Sequence, residues 1–386
     1  MSNMIKVATP SVGEEEIQAV AEVLRSGRYV QGPKVKEFEE KFASYIGTKH
    51  AIATNSGTSA LHISLAAAGI GPGDEVIVPP LTFFATIEAV LHQNAIPIFA
   101  DIDHEIFNLD PIDVARHITN RTKAVIPVHL YGHPAEMDPL MDLAQDHNLT
   151  VIEDAAQAHG AEYKGKKVGG IGHAGCWSFY ATKNMTAIEG GMITTNDDKI
   201  AETARIIRNH GMTSYDDHVI LGYNYRMNEI SAAIGIIQLS KLESLNADRA
   251  KVSLYLIEHL KDIDWLIAPI IRPYVKHAFF WVPFKVNEEK LGMNTLQLTR
   301  LLKEKGVEVR HRYQEPLYKQ QVLINRKIYP HNCPLSCPHY SNHIDYSKVH
   351  LPNVEKVAGK IIGLPNHPNL TKKELDIVLS VIKSIK

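Results

Sequence analysis

Residues 122–157, TKAVIPVHLYGHPAEMDPLMDLAQDHNLTVIEDAAQ, contain the pattern that decides the fold of this chain. Two apolar runs, TKAVIPVHL and TVIEDAAQ, are separated by a helical pattern around Asp138 to His147. Continuous apolar runs of this length predict strands that are buried on both faces, as in a parallel sheet. The stretch is therefore typical of a strand–helix–strand unit whose two strands run in the same direction.

The same alternation continues on both sides of this unit. HAIATN, GPGDEVIVPP and IPIFADID supply earlier strands with helical patterns between them, and a further strand runs from Cys176 to Tyr180. The sequence therefore predicts an α/β fold with a mostly parallel central sheet that is flanked by helices. In such sheets, ligands bind at the carboxyl ends of the strands.

Polar and aromatic residues follow several of these strands directly. They are Asn55 to Thr58, Thr82 and Phe83, His129 to Tyr131, Asp154 to Gln157, and Ser178 to Lys183. Because the carboxyl ends of parallel strands meet at one edge of a sheet, we expect these side chains to form one site.

The length of 386 residues exceeds what one hydrophobic core usually serves, so two domains are expected. We place a large cofactor-binding domain at residues 1–245. Residues 246–386, a mixture of helical and strand patterns with a final helix, form the predicted smaller α+β domain. No proline- or glycine-rich linker marks the boundary.

Composition argues against several classes of partner. The formal net charge of -2 gives no electrostatic reason to expect nucleic acid or an anionic membrane surface. No apolar run is long enough to cross a bilayer, and the N-terminus lacks the pattern of a secretory signal. Three cysteines cannot form a disulfide framework. We therefore expect a cytoplasmic protein that binds neither nucleic acid nor membranes.

Lys183 is the first candidate for chemistry. It lies in AGCWSFYATKNMTAIEGGMITTN (residues 174–196), on a loop between a strand end and the turn at Glu189-Gly190-Gly191. A lysine that forms a Schiff base must be desolvated enough to lose its proton, yet open to a carbonyl compound. The alternative is an ordinary surface lysine before a tight turn.

Three other positions suggest parts of a cofactor site. Gly57 and Thr58, at a helix start, could hold a phosphate, although Ser or Thr before a helix is commonly just an N-cap. Asp154 ends a buried strand and needs a cationic partner, which could be a protonated pyridine nitrogen, an arginine or a helix N-terminus. Phe83 or Phe84 could stack on a planar ring or belong to the core.

Together with Lys183, and with Ser178 as a second phosphate ligand, these groups match what pyridoxal phosphate (PLP) requires of a protein. The sequence therefore predicts a PLP site. Asp154 would keep the ring nitrogen protonated, and Lys183 would hold the cofactor's aldehyde and transfer protons.

A series of motifs extends this prediction over almost the whole chain. They are RYVQGPKVKEFEEKFASYIGTKHAIATNSGTSAL, GPGDEVIVPPLTFFAT, PVHLYG, VIEDAAQAHGAEYKGKKVG, WSFYATKN, EGGMITTND, RNHGM, GYNYRMNEISAAIGIIQLSKL and GLPNHPNLTKKE. In content and order they resemble the DegT/DnrJ/StrS family of sugar aminotransferases. That family has the fold type I architecture of aspartate aminotransferase, with a large PLP-binding domain and a smaller C-terminal domain.

The resemblance implies a role for individual residues. Lys183 matches the Schiff-base lysine, Asp154 the partner of the pyridinium nitrogen, and Gln157 the residue beside the ring and its O3′ hydroxyl. The implied phosphate ligands are Gly57, Thr58 and Ser178. Phe83 matches the aromatic residue that stacks on the ring, with Phe84 as the second choice.

The resemblance also implies a homodimer with shared active sites. Asn224, in GYNYRM, matches a residue that contacts the phosphate of the neighbouring subunit's cofactor, with Arg226 the weaker candidate. The implied reaction moves an amino group from an amino acid, L-glutamate by expectation, to a nucleotide-linked keto sugar. It would proceed through an aldimine on Lys183 and a pyridoxamine phosphate intermediate.

Two alternatives stay open within this resemblance. Some family members are sugar dehydratases, which carry His in place of the aldimine lysine, and Lys183 argues against that chemistry. A non-catalytic, regulatory member that only binds the cofactor is the other alternative. The sequence identifies neither the nucleotide nor the sugar carbon that is aminated.

Two segments depart from the family pattern. Ile188 stands where relatives commonly have Gly before the Glu-Gly-Gly turn. Because a β-branched residue does not easily adopt positive φ, we expect the backbone that leads into the turn to differ slightly from that of relatives. The basic segment VRHRYQEPLY replaces a His-Tyr segment. Arg310, His311 and Arg312 could contact a nucleotide diphosphate or a donor carboxylate, or form a solvated basic strand end.

A late cluster, His331, Cys333, Cys337 and His339 in HNCPLSCPH, contains ligand types that zinc accepts. The Cys-x3-Cys spacing is unlike the usual zinc-finger pattern, and two prolines stiffen the segment. We therefore expect a proline-rich loop with buried thiols and no metal.

Overall fold

The computed structural model describes residues 4–329, 333–335, 339–340 and 344–385. Its helices are α1 (Glu14–Ser26), α2 (Pro33–Ile46), α3 (Gly57–Ala67), α4 (Ala85–His92), α5 (Pro111–Arg116), α6 (Met137–His147), α7 (Asp198–Arg208), α8 (Glu229–Leu260), α9 (Glu288–Leu291), α10 (Thr295–Glu304), α11 (Gln321–Ile324), α12 (Pro352–Val357) and α13 (Lys372–Lys383).

Its strands are β1 (His50–Thr54), β2 (Glu75–Val78), β3 (Ile96–Phe99), β4 (Thr122–Val125), β5 (Thr150–Asp154), β6 (Glu162–Tyr163), β7 (Lys166–Lys167), β8 (Ala174–Ser178), β9 (Gly191–Thr195), β10 (Met212–Ser214), β11 (Asp217–His218), β12 (Leu266–Ile267), β13 (Val275–Lys276), β14 (Val282–Val286) and β15 (Ile361–Leu364).

The central sheet has seven strands in the order β1-β9-β8-β5-β4-β2-β3. β9 is antiparallel to both of its neighbours, and the other neighbouring pairs are parallel. The chain returns from β8 to β9 through a loop without a crossover helix, which is how two antiparallel neighbours can be joined. The arrangement is the mostly parallel sheet that the apolar runs predict.

Helices cover both faces of this sheet. Successive strand residues belong to different hydrophobic clusters: Ile193 packs with residues of α3, α4 and α7, whereas Met192 packs with residues of α2, α6 and α8. This alternation follows from the two-residue period of a strand. Burying an aliphatic side chain of this size contributes about 1.5–3 kcal/mol, so a continuous apolar strand is stable only where both faces are covered.

The C-terminal part contains a three-stranded antiparallel sheet in the order β12-β14-β15. A third hydrophobic cluster joins this sheet to α10, α13 and the last turns of α8. α8 continues without a break across residues 245 and 246, and the backbone N–H of Ile5 donates to the carbonyl of Gly306 at 2.9 Å. The division of the chain at this boundary stays a prediction.

Two local expectations were wrong. The segment VEVRHRYQ (residues 307–314) is predicted from the sequence as a strand, but it forms only isolated bridges, of Val307 to Ile5 and of Arg310 to Gly363, and Tyr313 has a positive φ of 57°. Ile188 does adopt the left-handed conformation, with φ 69°. Its N–H donates to Thr186 Oγ1 at 2.8 Å, and its exposed side chain meets little steric opposition.

Among the residues described, no helix combines the length and apolar character needed to cross a bilayer.

Candidate active site

Asp154 lies at the carboxyl end of β5 and is 6% exposed. Its Oδ2 accepts a hydrogen bond from Thr86 Oγ1 at 2.8 Å, and its Oδ1 accepts one from the Ala156 N–H at 3.2 Å. Within the described part of the chain it forms no salt bridge, so the internal ion pair with an arginine is not found. Burial raises the pKa of this carboxyl. A buried carboxylate of this kind favours a cationic ligand.

Lys183 lies on the loop after β8, where its backbone N–H donates to the Tyr180 carbonyl at 2.9 Å. Its Nζ is 4.8 Å from the centre of the Phe280 ring. Burial lowers the pKa of the amine to about 8; the charge of Asp154 opposes this shift, and the charges of Arg310 and Arg312 add to it. Burial and a lowered pKa favour a nucleophilic lysine over an ordinary surface lysine.

The predicted phosphate cradle is at the start of α3. Ser56 Oγ accepts the N–H of Ser59 at 3.1 Å, so the N-cap reading is correct for Ser56. Gly57 and Thr58 lie in the first turn of α3, where backbone N–H groups lack intrahelical partners and are suited to binding an anion. A Cβ added to Gly57 would lie 2.7 Å from Ser178 Cβ, so the helix start and the end of β8 approach each other closely.

Gly57→Ala is expected to weaken binding of PLP by about 10- to 100-fold, because overpacking of this kind costs about 1–3 kcal/mol and displaces the cradle. The dissociation constant of the cofactor, from fluorescence titration, measures this effect. Gly71→Ala is the matched control, since a Cβ there meets nothing within 4 Å. Equal affinities of the two variants would show that Gly57 is not part of the cradle.

Gln157 is held on two sides. Its Oε1 accepts the N–H of Tyr131 at 2.9 Å, and its Nε2 donates to the hydroxyl of Tyr313 at 3.2 Å. Tyr313 comes from the C-terminal part, and burial raises the pKa of its phenol to about 12. Sequence reasoning missed Tyr313, because no local pattern connects two residues that are 156 positions apart.

The two phenylalanines before α4 have different environments. Phe83 is 57% exposed, whereas Phe84 packs against the hydrophobic core. An exposed ring beside the site is free to stack on a planar ligand, which favours Phe83 over Phe84. Thr86, the hydrogen-bond donor to Asp154, lies in the first turn of α4, and sequence reasoning missed it as well. Its position three residues after Phe83 was the available signal.

Asn224 is exposed, and its neighbour Tyr225 accepts the backbone N–H of Asn55 at 2.8 Å. This contact joins the GYNYRM segment to the residue that precedes Ser56. Arg226 donates through Nη1 to Asn209 Oδ1 at 2.7 Å. The roles of Asn224 and Arg226 toward a neighbouring subunit stay predictions.

The predicted His-Cys cluster falls partly outside the described residues, which include Cys333 and His339 but not His331 and Cys337. Elsewhere in the part of the chain that the structure covers, no three His, Cys, Asp or Glu side chains are placed to bind one metal ion.

The residues brought together fit PLP. The helix start at Gly57 and Thr58 suits its phosphate, and the exposed Phe83 suits its ring. Asp154, which is buried and has no ion-pair partner among the described residues, suits a protonated ring nitrogen. Lys183 supplies an amine for its aldehyde. The chemistry available to such a site includes the transfer of an amino group.

Comparison with known proteins supports the resemblance that the sequence motifs show. The sequence model of the DegT/DnrJ/EryC1/StrS aminotransferase family matches residues 10–344. The chain is 37% identical over 395 residues to the GDP-perosamine synthase of Caulobacter vibrioides, covering 99% of this chain and 98% of the relative. It is 35% identical over 397 residues to the spore coat polysaccharide biosynthesis protein SpsC of Bacillus subtilis, covering 100% and 97%.

A solved structure, that of DesV from S. venezuelae in complex with a ketimine intermediate, has a TM-score of 0.85 at 34% sequence identity. The match covers 96% of this chain and 93% of DesV. Agreement over nearly the whole length confirms the predicted fold class.

Proposed function

The chain belongs to the DegT/DnrJ/EryC1/StrS aminotransferase family, as its motifs predict, and from this premise we propose that it transfers an amino group from an amino acid to a nucleotide-linked keto sugar. L-Glutamate is the proposed donor and PLP the proposed cofactor. The names of two relatives, a GDP-perosamine synthase and a polysaccharide biosynthesis protein, support a sugar acceptor.

One observation carries the proposal: a lysine with a lowered pKa and a buried carboxylate lie at neighbouring strand ends and influence each other electrostatically. Bound PLP supplies an electron-accepting ring and an aldehyde that carries the amino group between donor and acceptor. The chain's own residues must hold that group, keep its ring nitrogen protonated and move a proton at the reacting carbon.

Each of these tasks has a residue suited to it. The carboxylate of Asp154 would accept the hydrogen bond of the protonated nitrogen, and the Thr86 hydroxyl, which donates to Asp154 Oδ2, would fix its orientation. Lys183 provides the amine for covalent attachment and then acts as base and acid. Gln157, fixed by Tyr131 and Tyr313, orients the ring hydroxyl.

The remaining contacts hold the phosphate and the ring. In the proposal, the N–H groups of Gly57 and Thr58 and the Ser178 hydroxyl bind the phosphate, and Phe83 stacks on the ring. Asn224 of a second copy completes the phosphate site, so the proposed functional unit is a homodimer. The exposed position of Asn224, beside the approach to the cradle, supports this role.

Incubation with PLP, ¹⁵N-labelled L-glutamate and a panel of UDP-, GDP- and dTDP-linked 3-keto and 4-keto sugars tests the function. We expect at least one sugar to gain a labelled amino group, which mass spectrometry detects, while 2-oxoglutarate forms in equal amount. Transfer of label to no sugar of the panel would contradict the proposal. A sugar product that has lost water without gaining nitrogen would instead identify a dehydratase.

A further inference from the structure

Asn184 follows Lys183 directly in the chain and is 3% exposed. Its Nδ2 donates to Asn246 Oδ1 at 2.8 Å and to the Ala278 carbonyl at 2.7 Å. Both protons of the amide are therefore engaged, and an inverted amide would place its oxygen against the carbonyl oxygen of Ala278. The side chain of Asn184 is consequently held in one orientation, and it ties the residue after the lysine to two other segments of the chain.

The first of these segments is α8, which carries Asn246. Asn246 is 6% exposed, and its Nδ2 donates to the His159 carbonyl at 2.7 Å. The next residue is Gly160, where a Cβ would lie 2.6 Å from the same nitrogen, so the absence of a side chain leaves room for this contact. His159 lies two positions after Gln157. The two amides therefore connect the loop of Lys183 with the segment that carries Gln157.

The second segment contains Ala278 and lies beside the amine of Lys183. The backbone N–H of Ala278 donates to the Gly132 carbonyl at 2.9 Å, which fixes this segment against the loop after β4. Two residues later, the centre of the Phe280 ring lies 4.8 Å from Lys183 Nζ. Asn184 therefore binds the lysine loop to the same segment that covers the lysine amine, so the backbone and the side-chain end of Lys183 share one support.

The loop between β8 and β9 has few other fixed points near the lysine. Among the described residues, the Asn184 amide makes the only hydrogen bonds that join residues 181–185 to segments outside this loop. The N–H of Lys183 donates within the loop, to the Tyr180 carbonyl. Met185 is buried in the core, but methionine is a flexible side chain that defines direction poorly. The orientation of the loop at Lys183 therefore depends mainly on Asn184.

We propose that Asn184 is a positioning residue, which holds the amine of Lys183 against Phe280 and directs it toward the reacting carbon. The inference rests on the proposed function, because it concerns the lysine that moves the proton in that reaction. Without the link, the loop can turn the amine toward water. The pKa of the amine, which burial lowers to about 8, then rises toward the value of an exposed lysine, about 10.4. An amine displaced by about 1 Å also transfers a proton more slowly, by a factor on the order of 10².

Competitive labelling of the full-length, cofactor-free chain with acetic anhydride measures the lysine directly. Peptide mass spectrometry gives the extent of acetylation at Lys183 as a function of pH, and the wild-type midpoint is expected near pH 8, at the lowered pKa. Asn184→Ala should raise this midpoint by about one pH unit or more. Asn246→Ala, which keeps the hydrogen bond to Ala278, should raise it less, and it serves as the second variant if Asn184→Ala does not fold.

Thr186→Val is the matched control, because it removes hydrogen bonds of a buried residue in the same loop. The Thr186 hydroxyl donates to the Phe179 carbonyl at 3.2 Å and accepts the N–H of Ile188 at 2.8 Å. This variant should lose melting temperature as Asn184→Ala does, but its midpoint at Lys183 should stay at the wild-type value. A shift as large as that of Asn184→Ala would reduce Asn184 to general support of the loop and would overturn the inference.

Single-turnover rates of the donor half-reaction count only cofactor-loaded sites, so a smaller active fraction does not change them. In Asn184→Ala these rates should fall about 10- to 100-fold at saturating L-glutamate, while the half-saturating concentration changes by less than about threefold. An unchanged midpoint in both Asn variants, or an unchanged single-turnover rate, would overturn the inference while wild-type amino transfer remained intact. A shifted midpoint in the variants of a chain that aminates no sugar would support the placement of Lys183 and overturn only the proposed acceptor.

Discussion

Lys183→Ala is expected to abolish amino transfer, with a loss of roughly 10³-fold or more, and to prevent covalent attachment of PLP. The amine of Lys183 has two roles: it forms the bond to the cofactor's aldehyde, and it transfers the proton at the reacting carbon. An alanine side chain can do neither. The pKa of the Lys183 amine, lowered to about 8 by burial, leaves a useful fraction of neutral amine near neutrality. Borohydride reduction followed by peptide mass spectrometry locates the attached cofactor.

Lys166→Ala is the control for this experiment. Lys166 is exposed on the short strand β7 and has no contact with the site, so both amino transfer and the attachment at Lys183 should match those of the wild-type chain. The assignment fails if the Lys183 variant still aminates a keto sugar at a comparable rate, or if the reduced cofactor is found on another lysine of the active wild-type protein.

Sequence alone can predict a candidate site residue where one short segment shows both that the residue lies at the end of a strand and that its side chain suits the reaction. Asp154 is the last residue of β5 and Lys183 lies on the loop after β8, so the geometry of a parallel sheet brings them to one edge. Thr86 and Tyr313 could not be assigned in this way. Each makes a contact that depends on how distant segments pack: the hydroxyl of Thr86 donates to Asp154, and the hydroxyl of Tyr313 accepts from Gln157.

Ile188 shows a different limit of sequence reasoning. The steric rule correctly says that a β-branched residue opposes positive φ, but the rule gives a preference of a few kcal/mol at most and not a prohibition. The surroundings overcome it here: the Thr186 hydroxyl accepts the Ile188 N–H, and the side chain is exposed. Ile188 therefore adopts the left-handed conformation despite its β-branched side chain.

Asp154→Asn is expected to reduce amino transfer by about 10²- to 10⁴-fold while leaving the phosphate cradle intact. The amide has nearly the shape of the carboxylate, and the hydroxyl of Thr86 can reorient to accept from it, because Thr82 offers that hydroxyl a second partner at 3.1 Å. What is lost is the negative charge that keeps the ring nitrogen protonated. Single-turnover rates of the donor half-reaction measure this loss. Thr86→Val removes only the orienting hydrogen bond and should lower the same rate by about tenfold.

The same substitution should stabilise the cofactor-free protein, and this opposite effect distinguishes a loss of charge from a loss of structure. Burial raises the pKa of Asp154 above its unfolded value, so the folded chain binds the proton more tightly. The folded chain therefore loses stability as the pH rises from the unfolded pKa to the raised folded pKa. At pH 7, above the unfolded pKa, the buried carboxyl therefore costs stability that Asn does not cost, whereas below the unfolded pKa the two proteins should melt alike. A lower melting temperature of Asp154→Asn at pH 7 would mean that the carboxylate is compensated within the chain, and the pyridinium would then not be the partner that its burial requires.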